Sequence, residues 1–286
     1  MKKLLLIISL LFLGTVLLNS LELALAGTVP KASARYVSLA PSTTEILFAL
    51  GLDEEIVGVS SYCNYPEKAK SKEKIGDFSH PSIEKIISLK PDYIFCTGLE
   101  QAAVIESLKR LNLNVYVADP KNLQEIFDSM IEIGKITQKE YNAQILVKKM
   151  QEEVDTINAQ VNLVPMEKRP KVFIEIWHDP LTTAGSGSYL DELLRLAGGV
   201  NIANDTSRPY SIFSQEEVIK RNPDRILLTY MDKSKPQETV AKRFGWSEIN
   251  AVKNKRIYND INPDLLLHPG PRTVLAIREI HKRLYP

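Results

Sequence analysis

The residues able to do chemistry are few, and their spacing assembles no catalytic centre. The chain has four histidines, His80, His178, His268 and His281. None forms an H-E-x-x-H pair or a His-rich loop, so a transition-metal site would have to be gathered from distant segments. His281 falls in a terminal amphipathic stretch where a packing or surface role suffices. The other three follow expected strands or adjoin prolines, within reach of a cleft. Ala184-Gly185-Ser186-Gly187-Ser188 lacks the G-x-S-x-G spacing of a nucleophile elbow and reads as a turn and helix cap. No Walker A or G-x-G-x-x-G run follows a strand. Glu84, Glu216 and Asp264 are the carboxylates that could be cast as an acid–base pair. A general acid and base must face one substrate at close range, whereas Glu84 and Glu216 occupy matching places in two separate segments. The expectation is a protein that is not an enzyme, with no metal centre and no cofactor of its own.

Binding chemistry is better supplied. Tyr62, Tyr65, Phe78, Trp177, Tyr210 and Phe213 all fall in expected loops. Exposed rings are costly and commonly serve as ligand platforms; for any single ring, local packing is the alternative. As a set drawn from both halves of the chain they suit a large, flat, partly apolar ligand. Arg208 and Arg272 are the cations that could meet an anionic one. Cys63 and Cys96 permit a disulfide in an oxidising compartment, or else two buried thiols.

These residues need elements to position them, and the pattern alternates strands with helices, the mark of parallel α/β layers. Tyr36–Leu39, Glu55–Val59, Tyr93–Cys96 and Val115–Val117 read as strands. Helices are expected from Ser42, with Glu45 completing a capping box, and over Ser82–Leu89 and Ala102–Leu111. From Leu123 the chain turns helical, with Gly134 as an interruption and Thr137 to Glu140 as a second capping box. Leu146, Met150, Val154, Ile157 and Val161 then recur at steps of four, four, three and four, one apolar face of a helix of about 25 residues. The second block restarts with a strand at Lys171–Ile176, followed by helices over Ser188–Leu196 and Gln215–Lys220, a strand at Arg225–Tyr230 and a helix at Thr273–Leu284.

The blocks repeat one another. Ser82–Phe95 aligns without gaps with Ser214–Leu227: each reads as a Ser-capped helix, a Pro-Asp turn and a buried strand, with Ser, Glu, Pro and Asp in register. Thr44-Glu45-Ile46-Leu47 and Asp191-Glu192-Leu193-Leu194 precede the two copies. Two similar lobes flanking a crevice is a common ligand-site arrangement. The 286 residues, 25% charged with a net charge of +1, fit a two-lobed globular protein and argue against an electrostatically driven nucleic-acid binder. Met1-Lys2-Lys3, the apolar run Leu4–Leu18 and Ala24-Leu25-Ala26 read as a cleavable export signal over residues 1–26. No cysteine follows it to take a lipid, so a periplasmic location is expected.

Val37-Ser38-Leu39-Ala40-Pro41-Ser42-Thr43-Thr44-Glu45, Gly58-Val59-Ser60-Ser61-Tyr62, Tyr65-Pro66, the Glu84 helix with Leu89-Lys90-Pro91-Asp92, and His268-Pro269-Gly270-Pro271-Arg272 resemble the helical-backbone periplasmic binding proteins. Within them the chain is similar to the cobalamin-binding components of ABC importers. The resemblance covers roughly Arg35 to the C-terminus. It implies two α/β lobes with central, mostly parallel sheets, over 35–136 and 170–286, joined by a single long helix over 137–164. It implies a monomer whose interlobe cleft holds a metal chelate, a corrinoid (cobalamin), with haem or an iron-siderophore as the alternative cargo. Tyr62, Phe78, Trp177, Tyr210 and Asp264 are the ligand contacts it implies. Phe78 and Tyr210 stand where tryptophans are frequent in the family. Glu84 and Glu216, one per lobe, are implied to dock on the permease of an importer that also includes ATPase subunits.

Overall fold

Short apolar runs become strands here, and the central ones are buried on both faces. A computed structural model describes residues 33–229 and 236–286; the expected export signal and the Tyr230 end of one expected strand lie outside them. In the first lobe β1 (Tyr36–Ser38), β2 (Ile56–Val59), β3 (Tyr93–Cys96) and β4 (Val115–Val117) form an all-parallel sheet in the order β2-β1-β3-β4. Its core, including Val37, Leu39, Ile86, Ile94 and Leu108, is closed by flanking helices, as a parallel sheet requires. These helices are α1 (Pro41–Ala49), α2 (Ile83–Ser88) and α3 (Ala102–Arg110).

Two longer helices follow, α4 (Leu123–Ile136) and α5 (Glu140–Val161). Gly134 does not interrupt α4; it lets the pair close up, because a Cβ there would stand 2.6 Å from the Cβ of Ala143. The 22 residues of α5 span about 33 Å. Met150, Val154, Ile157 and Val161 are its buried face, while Leu146 is only half-buried.

The second lobe has β5 (Lys171–His178), β6 (Leu181–Ala184), α6 (Tyr189–Leu196), β7 (Val200–Asn201), β8 (Tyr210–Ile212), α7 (Gln215–Arg221), β9 (Arg225–Leu228), α8 (Pro236–Ala241), α9 (Asn250–Lys253), β10 (Ile257–Tyr258), α10 (Pro263–Leu267) and α11 (Thr273–Leu284). The parallel set runs β7-β5-β9-β10, the order of the first sheet with each strand replaced by its counterpart. The gapless repeat in the sequence is α2-β3 on one side and α7-β9 on the other. What the repeat does not contain is the hairpin-like addition β6-β8, antiparallel on the free half of β5, which adds two antiparallel pairings to a sheet whose other three are parallel. The buried Glu175 on β5 is held by Nη1 and Nη2 of Arg243, each at 2.7 Å, which ties the 236–246 segment to the sheet.

Three expected caps form: Ser82, Ser188 and Ser214 each accept from the amide three residues on. Two expected capping boxes do not. Pro41 is itself the first residue of α1, its fixed φ suited to that place, so Ser42 and Glu45 lie inside the helix and Ala40 caps it without a side-chain bond. Thr137 closes α4 instead of opening α5; its hydroxyl donates to the Ile133 carbonyl at 2.7 Å. Cys63 and Cys96 are free and buried, not bridged. Burial pushes the Cys96 thiol up to about 12 and raises that of Cys63.

Candidate functional site

Parallel strands end in loops on one edge of each sheet, and in this chain those loops face each other across a cleft of about 980 Å³. From the first lobe it is lined by Ala40–Ser42 after β1, Tyr62 after β2, Asp77–His80, Thr97 and Glu100 after β3, and Asp119–Lys121 after β4. From the second come Gly187–Tyr189 at the start of α6, Arg208–Tyr210 leading into β8, and Leu267–Pro269 after α10.

The first-lobe wall hangs on one side chain. Gln101 is fully buried. Its amide nitrogen donates to the Leu39 carbonyl at 3.0 Å and the Phe78 carbonyl at 2.8 Å, and its oxygen accepts from the Thr97 amide at 3.0 Å. Three lining loops are thereby fixed to one another. Nothing in the sequence singled it out. Tyr62 is set by the tight turn around Cys63. The thiol sits against Thr44 at 3.1 Å and Ser60 at 3.3 Å, while the neighbouring tyrosine ring stays exposed. Glycine at 98 leaves room for the Asp119 carboxylate, which would stand 2.3 Å from a Cβ there and have to swing away. Lys121 pairs with Asp119 at 2.5 Å.

On the second wall the added hairpin delivers Tyr210. Ala184 pairs with it in the β6-β8 ladder. Thr206 packs so tightly under Gly185 that a Cβ would meet its Oγ1 at 1.7 Å. The Gly-Ser-Gly run is thus a seat for the 206–210 turn. Tyr210 keeps 54% of its surface accessible because the cleft is open. Protein nevertheless crowds it, and this partial desolvation, together with Asp119 and Glu100 facing it from the other lobe, holds its hydroxyl above the ordinary phenol range. At neutral pH Tyr210 is therefore a neutral hydrogen-bonding ring. Tyr189 is buried beside it, its hydroxyl 2.9 Å from Thr273 Oγ1.

Of the residues expected at the ligand, Tyr62, Phe78 and Tyr210 line the cleft, and Trp177 and Asp264 do not. Trp177 sits at the β5-β6 turn, where its indole N–H donates to the Asp179 carbonyl at 2.9 Å and its ring lies against His178. Asp264 begins α10, capped by Asn262, and meets Asn64 at 3.4 Å. Phe213 is a core residue stacked near Phe173 and covered by Arg221. Arg272 is not a cleft cation: its Nε and Nη2 donate to Glu45, outside the cleft lining. His80 and His268 line the cleft. Among the described residues no group of three or more His, Cys, Asp or Glu is placed to hold a metal ion. The ionic lining is thus Asp77, Glu100 and Asp119 against Lys121 and Arg208. Glu84 and Glu216 stand elsewhere, exposed on the first turns of α2 and α7. Ser214 donates to Glu216 at 2.6 Å, which keeps that carboxyl below its usual range.

The family model described as periplasmic binding protein matches residues 37–262. An uncharacterized ABC transporter substrate-binding lipoprotein of Bacillus subtilis (strain 168), YvrC, is 36% identical over 264 residues, covering 91% of this chain and 82% of that protein. A crystal structure of a possible iron-binding (periplasmic solute-binding) protein from Staphylococcus epidermidis ATCC 12228 superposes with a TM-score of 0.78 at 34% identity, covering 88% of this chain and 98% of that one. The periplasmic vitamin B12 binding protein BtuF of Vibrio cholerae superposes at 0.73 with 29% identity, covering 87% and 96%.

The buried Gln101 yields a direct test of how the cleft wall is built. Gln101→Leu strands two carbonyls and an amide. It should lower unfolding stability by about 1–3 kcal/mol and weaken ligand binding, read by denaturant titration and calorimetry. Unchanged values for both would show that the loops hold without it.

Proposed function

We propose, from the premise that the chain belongs to the periplasmic binding protein family, that its cleft captures a corrinoid such as cobalamin for delivery to an ABC importer. The coarser role is that of a substrate-binding protein of such a transporter, as in its relatives, rather than an enzyme. The observation carrying the finer reading is the make-up of the cleft. Tyr62 and Phe78 on one wall and Tyr210 on the other offer aromatic surface, and the carboxylates Asp77, Glu100 and Asp119 outnumber the cations Lys121 and Arg208. A corrin ring is broad, partly apolar and fringed with neutral carboxamides, whose N–H groups suit carboxylate acceptors. Haem carries propionates and many ferric siderophores are anionic, and these would meet like charge. The resemblance to the Vibrio cholerae vitamin B12 binding protein supports the same cargo.

The role in transport rests on Glu84 and Glu216. They hold equivalent places in α2 and α7, each two residues after a serine cap, and neither lines the cleft. One solvated carboxylate per lobe suits a permease with two matching basic patches, where charge complementarity sets register and association rate. The chain acts as a monomer in this reading, with permease and ATPase subunits as its partners, and it works outside the cytoplasmic membrane. Among the described residues no helix is long and apolar enough to cross a membrane.

Calorimetry with cobalamin, cobinamide, haem and a ferric siderophore tests the cargo. The corrinoids should bind, and Tyr62→Ala and Tyr210→Ala should each weaken them at least tenfold. Tight binding of haem or siderophore without a corrinoid response would overturn the assignment. A second experiment separates capture from docking. The double variant Glu84→Ala, Glu216→Ala should keep its melting temperature and ligand affinity but lose salt-sensitive association with the reconstituted importer. Loss of ligand binding with intact docking would place these glutamates in the wrong role.

A further inference from the structure

Below the cleft, facing a second cavity of about 530 Å³ rather than the cleft itself, an ion pair joins the two lobes. Glu45 lies on α1 of the first lobe and is 3% exposed. Arg272 lies at the start of α11 in the second lobe, 227 residues away in sequence. The guanidinium grips the carboxylate as a fork, Nε to Oε2 at 2.8 Å and Nη2 to Oε1 at 2.5 Å. Tyr65, from the first lobe, covers the guanidinium with its ring centroid 4.0 Å away. His268 stands 3.8 Å from the same Oε1 and also lines the cleft.

The polar first-turn groups of α1 are engaged elsewhere. Thr43 and Thr44 bond to Ser38, and Thr43 also to the Ala40 carbonyl. Glu45 is therefore left to the second lobe. The turn that delivers Arg272 rests on the same helix: a Cβ at Gly270 would lie 3.5 Å from the Ser42 carbonyl, ordinary contact. Ser42 and Pro269, on the two sides of that contact, both line the cleft.

We propose that the Glu45–Arg272 fork is the element that fixes the separation of the lobes and so the width of the cleft, making Glu45 and Arg272 positioning residues for ligand capture. This rests on the reading of the cleft as the ligand site. A bidentate pair is directional, so a small rotation of one lobe breaks both bonds while the charges are still shielded from water. A further side-chain tie between these loops, Asn64 to Asp264, is 3.4 Å long and exposed, and cannot supply the same stiffness. Opening wide enough for release must separate the fork and hydrate both ions, a step that a docked partner is placed to drive by binding the open form.

The test uses the full protein with spin labels on Ser88→Cys and Lys220→Cys, one exposed site in each lobe. The native thiols are buried and stay unlabelled. Pulsed dipolar spectroscopy without ligand should give a narrow distance distribution. Glu45→Gln, which removes the charge, and Arg272→Lys, which keeps the charge but loses the fork, should both broaden it. Cyanocobalamin should then leave either variant at least tenfold faster in stopped flow, while far-UV circular dichroism stays native. Should one variant fail to fold, the other carries the measurement. A parental distance distribution and dissociation rate in a folded variant would overturn the proposal. If the parent itself binds no cyanocobalamin, the cargo assignment falls, and the distance distributions still decide the role of the fork.

Discussion

A carboxylate on one lobe and a guanidinium on the other meet as a buried fork, and the cleft takes its shape from that meeting. Each lobe has its own sheet and apolar core, so nothing in either core dictates how the two should face. The long helix α5 joins them along the chain. Arg278 on α11 holds Glu153 of that helix at 2.5 Å. A second polar tie, from the Leu123 amide to Glu192 at 2.8 Å, links the start of α4 to α6. These contacts anchor the second lobe to the helical backbone, and Glu45–Arg272 closes the remaining side against the first lobe. Charges taken out of water need strict geometry, so their pairing specifies one arrangement where apolar contact would tolerate several.

The cleft chemistry is then a matter of which loops each sheet presents. The two sheets repeat one strand order, yet their rims differ. The first rim is a polar wall organised by Gln101 and made acidic by Asp77, Glu100 and Asp119. The second owes Tyr210 to the antiparallel β6-β8 addition, which has no counterpart in the first lobe. Duplication gives a crevice between like halves, and divergence of the rims gives it a charge and a shape. The small residues at Gly98 and Gly185 leave room for the close approach of Asp119 and Thr206. They belong to the site although they carry no chemistry.

Much of this was legible in the sequence where the cause was local. The helix-turn-strand repeat, the serine caps at 82, 188 and 214, and the last helix Thr273–Leu284 follow from short-range hydrogen bonds and period-3.6 burial. The structure departs from the pattern where another partner, distant or local, claims the residue. Glu45 fits a capping box, but Pro41 starts the helix ahead of it and Arg272 holds its carboxylate. Thr137 fits another until its hydroxyl is found bonded backward to Ile133. Phe213 and Trp177 are loop aromatics by pattern, but one packs into the second core and the other is tethered to its own turn. Gln101 was invisible because one glutamine in a polar stretch has no periodic signature. The β6-β8 pairing was missed because its strands are short and flanked by Gly, Pro and Ser.

The central claim is that this cleft is built for a broad, neutral, amide-fringed chelate. The most direct measurement is the absorption spectrum of the protein purified from cells grown with corrinoids, haem and iron available together. The account predicts a corrinoid chromophore that co-purifies at about one per chain and is displaced by added cyanocobalamin. A Soret band, or a ferric siderophore charge-transfer band with no corrinoid signal, would contradict it.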